Sequence, residues 1–244
     1  MLANAHKRAI VQQLQSRINA MQGLGKSPAA AASKDFAPFD AAFPEHVFPR
    51  GVVHEFISHE PAEAASTHGF IAALSGKLLS QGGLCLWITG AREVFAGGLS
   101  AFGLPPDRIV FAGARQPKEL LWIVEEALKC DALAVVIAQI NTLGFTESRR
   151  LQLAVERSGV TGFIHRFRPF SANALACTTR WHIAPLPSHT DDGLPGVGHS
   201  RWRVELAKVK NGRPFTWQIC WVAGSFIETP DLADSQVLPQ SHAG

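Results

Sequence analysis

Two periods of apolar residues alternate along this chain, and their order lays out a fold. Over 4–22, Ile10, Leu14, Ile18 and Met21 recur at spacings of four, four and three, one face of a 3.6-residue helix. Gly23 and Gly25 stop that helix, and the stretch 25–38, GKSPAAAASKDFAP, has the composition of a linker. The segment 39–51 is punctuated by Pro44, Pro49 and Gly51 and leads into a short apolar strand at 52–57. A polar loop and a helix over 64–80 follow, with Gly82-Gly83 as the stop. A buried strand is expected at 84–89, a short helix at 94–102 and a short strand at 108–112. Pro117 opens the clearest helix, whose stripe is Leu120, Leu121, Val124 and Leu128. The continuous apolar run at 132–140 suits the centre of a parallel sheet. A helix at 146–158 precedes strands at 160–165, 178–183, 201–209 and 215–222, with a hairpin turn at Asn211-Gly212.

Strands that alternate with helices and then run on without them predict an α/β fold. Its sheet is mostly parallel and flanked by helices, with an antiparallel hairpin at the C-terminal end. The pattern divides the chain into an N-terminal helix (1–24), a linker (25–38), one domain (39–226) and a disordered tail (227–244). The N-terminal helix either docks on a partner or folds back on its own core, and the pattern leaves both open.

Composition narrows the class. A chain of 244 residues buries a sizeable core. No apolar run approaches the ~20 residues that span a membrane. The first residues, MLANAHKRAIVQQLQ, turn polar too early for a signal peptide, so a cytoplasmic protein with no membrane contact is expected. Cys85, Cys130, Cys177 and Cys220 are far apart, which favours reduced thiols over zinc or disulfides. His54-Glu55 begins like H-E-x-x-H, but Ser58 stands where the second His belongs and the segment reads as a strand; no metal site is expected. Charge is uneven. From Arg149 to Arg213 there are eleven Lys/Arg and four Asp/Glu, +7 in a chain of net +3, so the remainder carries −4. That basic half fits nucleic acid, an acidic partner, or simply a solvated basic face.

The strand, loop and helix between Phe48 and Leu79 have the layout of a phosphate-binding unit without its chemistry. A working loop reads G-x-x-x-x-G-K-[ST], with backbone N–H groups turned onto the phosphates, a Lys to neutralise them and a hydroxyl for Mg²⁺. Here no Gly lies between Gly51 and Gly69, no Lys lies between the strand and Lys77, and Glu60 and Glu63 add negative charge. What survives of a phosphate loop is Ser66 and Thr67, beside a helix N-terminus that binds anions weakly. The alternative is a plain connecting turn.

The segments FPRGVVHEF (48–56), FGLPPDRI (102–109) with 119–128, AVVIA (134–138), TGFIHR (161–166), TRW (179–181) and VELAKVKNGRP (204–214) resemble, in order and spacing, the RecA-like core of the ImuA family of SOS mutagenesis proteins. The resemblance covers about 39–225. It implies a RecA-like domain that serves as an accessory in damage-induced translesion synthesis. An ImuB-type Y-family polymerase relative would be its partner, with RecA and single-stranded DNA as further candidates. The departures matter as much. The strand in the Walker B position continues Ile137-Ala138-Gln139-Ile140 with no acid, and no carboxylate replaces the one that activates water. Loss of both halves of the metal–phosphate site argues against hydrolysis and against any nucleotide cofactor.

Two places remain where the resemblance implies contacts. The shortened DNA loops would lie at 140–146 and 166–176. There Arg166 and Arg168, with Phe167 and Phe170, either touch a strand by charge and stacking or form a basic loop against the core edge. Lys208 and Lys210, on the closing hairpin, either reach RecA or nucleic acid or are ordinary exposed strand lysines. The rival readings of function are a divergent ATPase using Ser66 and Thr67, and a single-stranded DNA-binding protein using Arg166 and Arg168. No residue is assigned a catalytic role.

Overall fold

The computed structural model describes residues 35–90, 94–170, 175–189 and 197–230. The expected helix over 4–22 lies outside the described residues. Among the described residues nine strands form one sheet: β1 (Val53–Ser58), β2 (Leu84–Thr89), β3 (Ile109–Gly113), β4 (Leu133–Gln139), β5 (Thr161–Phe167), β6 (Thr179–His189), β7 (His199–Val209), β8 (Phe215–Val222) and β9 (Ser225–Glu228). The helices are α1 (Pro61–Leu79), the single turn α2 (Ala96–Leu99), α3 (Pro117–Leu128) and α4 (Phe145–Ser158). The strand order is β3-β2-β4-β5-β1-β6-β7-β8-β9. Pairing is parallel from β3 to β6 and antiparallel from β6 to β9. This is the expected α/β architecture, a mostly parallel sheet with helices and an antiparallel C-terminal extension.

Period-two alternation sorts each central strand between two cores. One core holds Phe56, Phe163, Trp181, Val204 and Trp217 from the sheet, with Phe70, Ile71 and Leu74 of α1. The other holds Val53, Val136 and Ile164 with Val124 and Leu128 of α3 and Leu151 and Val155 of α4. Trp181 is the hub of the first core. Its ring lies within stacking or edge distance of Phe39, Phe43, Phe48, Phe56, Phe70 and Trp217.

Several boundaries differ from those read along the chain. The packed body begins by Phe36, which is buried and stacks on Phe48 at 4.4 Å, so the last residues of the expected linker belong to the core. It also runs past 226. β9 pairs with β8, and the Thr229 N–H donates to the Gln218 carbonyl at 2.9 Å; residues 227–230 are therefore sheet and its border rather than tail. Of the helix expected over 94–102, only Ala96–Leu99 is α-helical, followed by a 3₁₀ turn at Ser100–Phe102. Among the described residues no helix is long and apolar enough to cross a membrane.

The α1 helix fits close against the turn after that 3₁₀ segment. A Cβ added at Gly76 would lie 2.3 Å from the Gly103 carbonyl oxygen, a backbone atom that cannot swing aside. Gly76→Ala is therefore expected to lower stability by about 1–3 kcal/mol despite alanine's better helix propensity. A urea unfolding midpoint equal to wild type would show that this contact yields freely.

Candidate functional site at the β1–α1 turn

The expected polar loop is almost absent. β1 ends at Ser58 and α1 begins at Pro61, which leaves only His59 and Glu60 between them. Proline suits the first helical position because its missing N–H has no partner to lose there. Glu60 is the extended N-cap residue, and Glu63 lies three positions on. The Glu63 carboxylate accepts the N–H groups of His59 at 2.7 Å and Glu60 at 3.3 Å. A helix N-terminus presents free donors and a partial positive charge, the combination that binds phosphate. Here the chain's own carboxylates already cap that end: Glu63 takes the two N–H groups just before the helix, and the Glu60 side chain takes the N–H of Glu63. Arg168 closes the other side. Its backbone N–H donates to the Ser58 carbonyl at 2.8 Å, its Nε to the His59 carbonyl at 2.7 Å, and its Nη2 lies 3.4 Å from Glu60 Oε2.

The early helix start corrects the reading of Ser66 and Thr67. They lie inside the second turn of α1, not at its N-terminus. Thr67 is fully buried, and its hydroxyl is 2.9 Å from Ser58 Oγ. Ser58 in turn meets Nε2 of His165 at 3.1 Å, and Nδ1 of His165 meets Nε2 of His68 at 3.2 Å. The His68 ring sits edge-on to Trp87. This buried polar string fills the space beneath the turn. Desolvation holds His165 down to about 3, with the neighbouring His68 adding to it, and desolvation alone holds His68 to about 4. Both imidazoles are neutral at physiological pH.

The candidate basic residues separate in space. Arg166 is corrected from a loop residue to a core residue. It is 2% exposed, and its Nη1 donates to Glu55 Oε1 at 2.9 Å. Arg180, 17% exposed, donates from Nε to Glu55 Oε2 at 2.7 Å, so one carboxylate in β1 bridges guanidinium groups on the strands to either side. The physical reason is alternation: the register sets Glu55 of β1 against Arg180 of β6 and two positions from Arg166 of β5, which pairs with Ile57, so all three side chains share one face. Arg168, two residues on, is exposed at the turn and lies over the Phe167 ring at 5.1 Å. Phe170 beyond it is fully exposed. Lys208 donates to the Leu175 carbonyl at 3.0 Å, tying β7 to the segment before β6. The Lys210 side chain is exposed, while its backbone N–H donates to the Thr178 carbonyl at 2.9 Å.

His54, half of the failed metal motif, is wholly buried. Its Nε2 faces the Pro49 carbonyl at 3.0 Å, so that nitrogen carries the proton. Its Nδ1 accepts from the Thr179 hydroxyl at 2.8 Å, and Thr179 accepts from the Trp181 indole at 2.7 Å. Burial pushes His54 down to about 3. No group of three or more His, Cys, Asp or Glu side chains among the described residues is placed to hold a metal ion. Sequence reasoning missed Glu55 as an ion-pair centre. The available signal was a carboxylate inside the apolar run VVHEFI, since a charge there needs a partner.

No family model matches this chain. Among solved structures it is similar to SulA from Pseudomonas aeruginosa, with a TM-score of 0.41 and 17% identity over 47% of this chain and 97% of that one. Among curated proteins it is similar to Protein ImuA of Caulobacter vibrioides strains NA1000 / CB15N and ATCC 19089 / CIP 103742 / CB 15, 32% identical in each over 209 residues. The alignment takes in 81% of this chain and 86% of the relative. On that identity and coverage, the chain belongs to the ImuA family.

Proposed function

We propose that this chain is a non-catalytic accessory in damage-induced (SOS) translesion DNA synthesis. It is a RecA-like domain that works through protein–protein contacts, with an ImuB-type Y-family polymerase relative as its main partner and RecA as a second. Membership of the ImuA family supports the setting. The observation that carries the non-catalytic part is the Glu63 carboxylate on the α1 N-terminus. A nucleotide phosphate would have to displace a tethered anion from the donors it needs, beside a second carboxylate on Glu60. It would do so without a lysine or a glycine-rich turn. The strand β4 reaches its end at Gln139 with no acid to hold a metal ion.

Titration calorimetry of Mg-ATP into the full chain is expected to give no saturable heat up to millimolar ligand. Saturable binding would bring forward the divergent ATPase. In parallel, the purified chain is expected to retain an ImuB-type protein in a pull-down. Failure to do so with both proteins folded would overturn the accessory reading.

A further inference from the structure

Among the described residues the sheet has three stretches of free edge, and two of them are guarded. β6 pairs with β1 only through Thr179–His182; beyond that its outer side carries Pro185 and Pro187, which have no N–H to offer. β9 is four residues long, ends on exposed Glu228 and runs into Pro230. Short length, charge and proline are the usual protections of an edge strand. β3, one residue longer than β9, has neither of the other two. It pairs with β2 along its whole length without irregularity and stands last in the sheet. Its residues, IVFAG, include no charge and no proline. Val110 is 48% exposed and Phe111, its neighbour on the opposite face, 42%.

The residues flanking β3 select the occupant. Asp107 lies two positions before the strand and Arg115 two positions after it, and both are exposed. They are equally distant from Phe111. A second copy laid antiparallel across a twofold axis at Phe111 sets Val110 against Ala112 and Ile109 against Gly113. It also puts the 3₁₀ turn that carries Asp107 of each copy at the same end of the strand pair as Arg115 of the other. The middle is apolar on both faces, and each end has an attractive charge pair. Arg108 does not disturb this, because its guanidinium is held by the Leu79 and Gly83 carbonyls at 2.9 and 2.7 Å. A parallel copy in register would instead oppose Asp107 to Asp107 and Arg115 to Arg115. We propose that β3 is a self-association edge, where two copies of this chain pair antiparallel about Phe111 into one continuous sheet, an isologous contact that closes on itself.

Light scattering on the eluting full chain tests this. The expected mass is twice 26.3 kDa. Val110→Lys, which places a charge on an already exposed position, is expected to give a folded monomer by circular dichroism. Asp107→Arg and Arg115→Asp are each expected to weaken the dimer roughly tenfold, and the double reversal to restore it. A monomeric wild type overturns the proposal, whether the edge is then covered by residues 1–34 or by another protein. So does a dimer indifferent to Val110→Lys, or a double reversal no tighter than either single variant.

Discussion

Acidification from neutral pH to about pH 5 is expected to remove roughly 6 kcal/mol of folding stability, about 2 kcal/mol for each of three buried imidazoles. His54, His165 and His68 are held by burial to about 3, 3 and 4, against 6.5 for the free side chain. Between those values the unfolded chain takes up protons that the folded chain refuses. More protons bound in the unfolded state means that stability falls as pH falls. The full contribution is present above about pH 6.5, erodes through pH 5 and levels off below the folded values. A typical domain has only about 5–15 kcal/mol in hand, so this chain is expected to unfold in mild acid, well before its carboxylates protonate. Urea midpoints at a series of pH values measure the slope. A flat profile between pH 7.5 and 5 would show that these rings accept protons in place. A His54→Gln variant should lose about a third of the slope, since it removes one of three equal contributors.

Glu55→Ala is expected to cost about 3–5 kcal/mol, more than an ordinary buried truncation of that size. Glu55 is 1% exposed and is the carboxylate between Arg166 and Arg180. Removing it leaves two guanidinium groups, one of them deep in the core, facing each other without the anion that offset their desolvation. Replacing Arg166 with Met should cost less than Glu55→Ala, because Arg180 then keeps Glu55 paired and the apolar stem of residue 166 is preserved. Chemical denaturation of the two variants decides the matter. A Glu55→Ala loss below about 1 kcal/mol, or the reverse order of the two variants, would mean that water reaches the triad and screens it.

The triad and the turn above it also explain why the site was only partly legible in the amino-acid order. The missing glycines and lysine after β1 could be read directly, because a phosphate loop is a local motif. What replaces the phosphate could not. Glu63 was read as a charge hostile to phosphate. In the fold it is the ligand of the helix N-terminus itself, which follows from the helix starting at Pro61 rather than at residue 64. That three-residue difference moves Ser66 and Thr67 from the first turn of the helix, beside its free N-terminus, to the second, and puts Thr67 under the turn.

Sequence alone determined the order and type of the main elements, from the first strand through the β7–β8 hairpin, and the family to which they belong. Those features rest on local period, on punctuation by Gly and Pro, and on residues matched in order, all of which can be read along a single chain. Tertiary structure alone decided which face each charged residue shares and with whom. Arg166 and Arg168 are two residues apart and both basic, yet one lies in the core and the other at the surface, because β5 ends at Phe167 between them and Arg168 turns out of the strand. Glu55 meets Arg166 across 111 positions and Arg180 across 125. Phe36 and β9 likewise enter the fold only because Phe48 and β8 are there to receive them. Burial and pairing are properties of neighbours distant in the chain, and the order of residues does not contain them until the sheet brings those neighbours together.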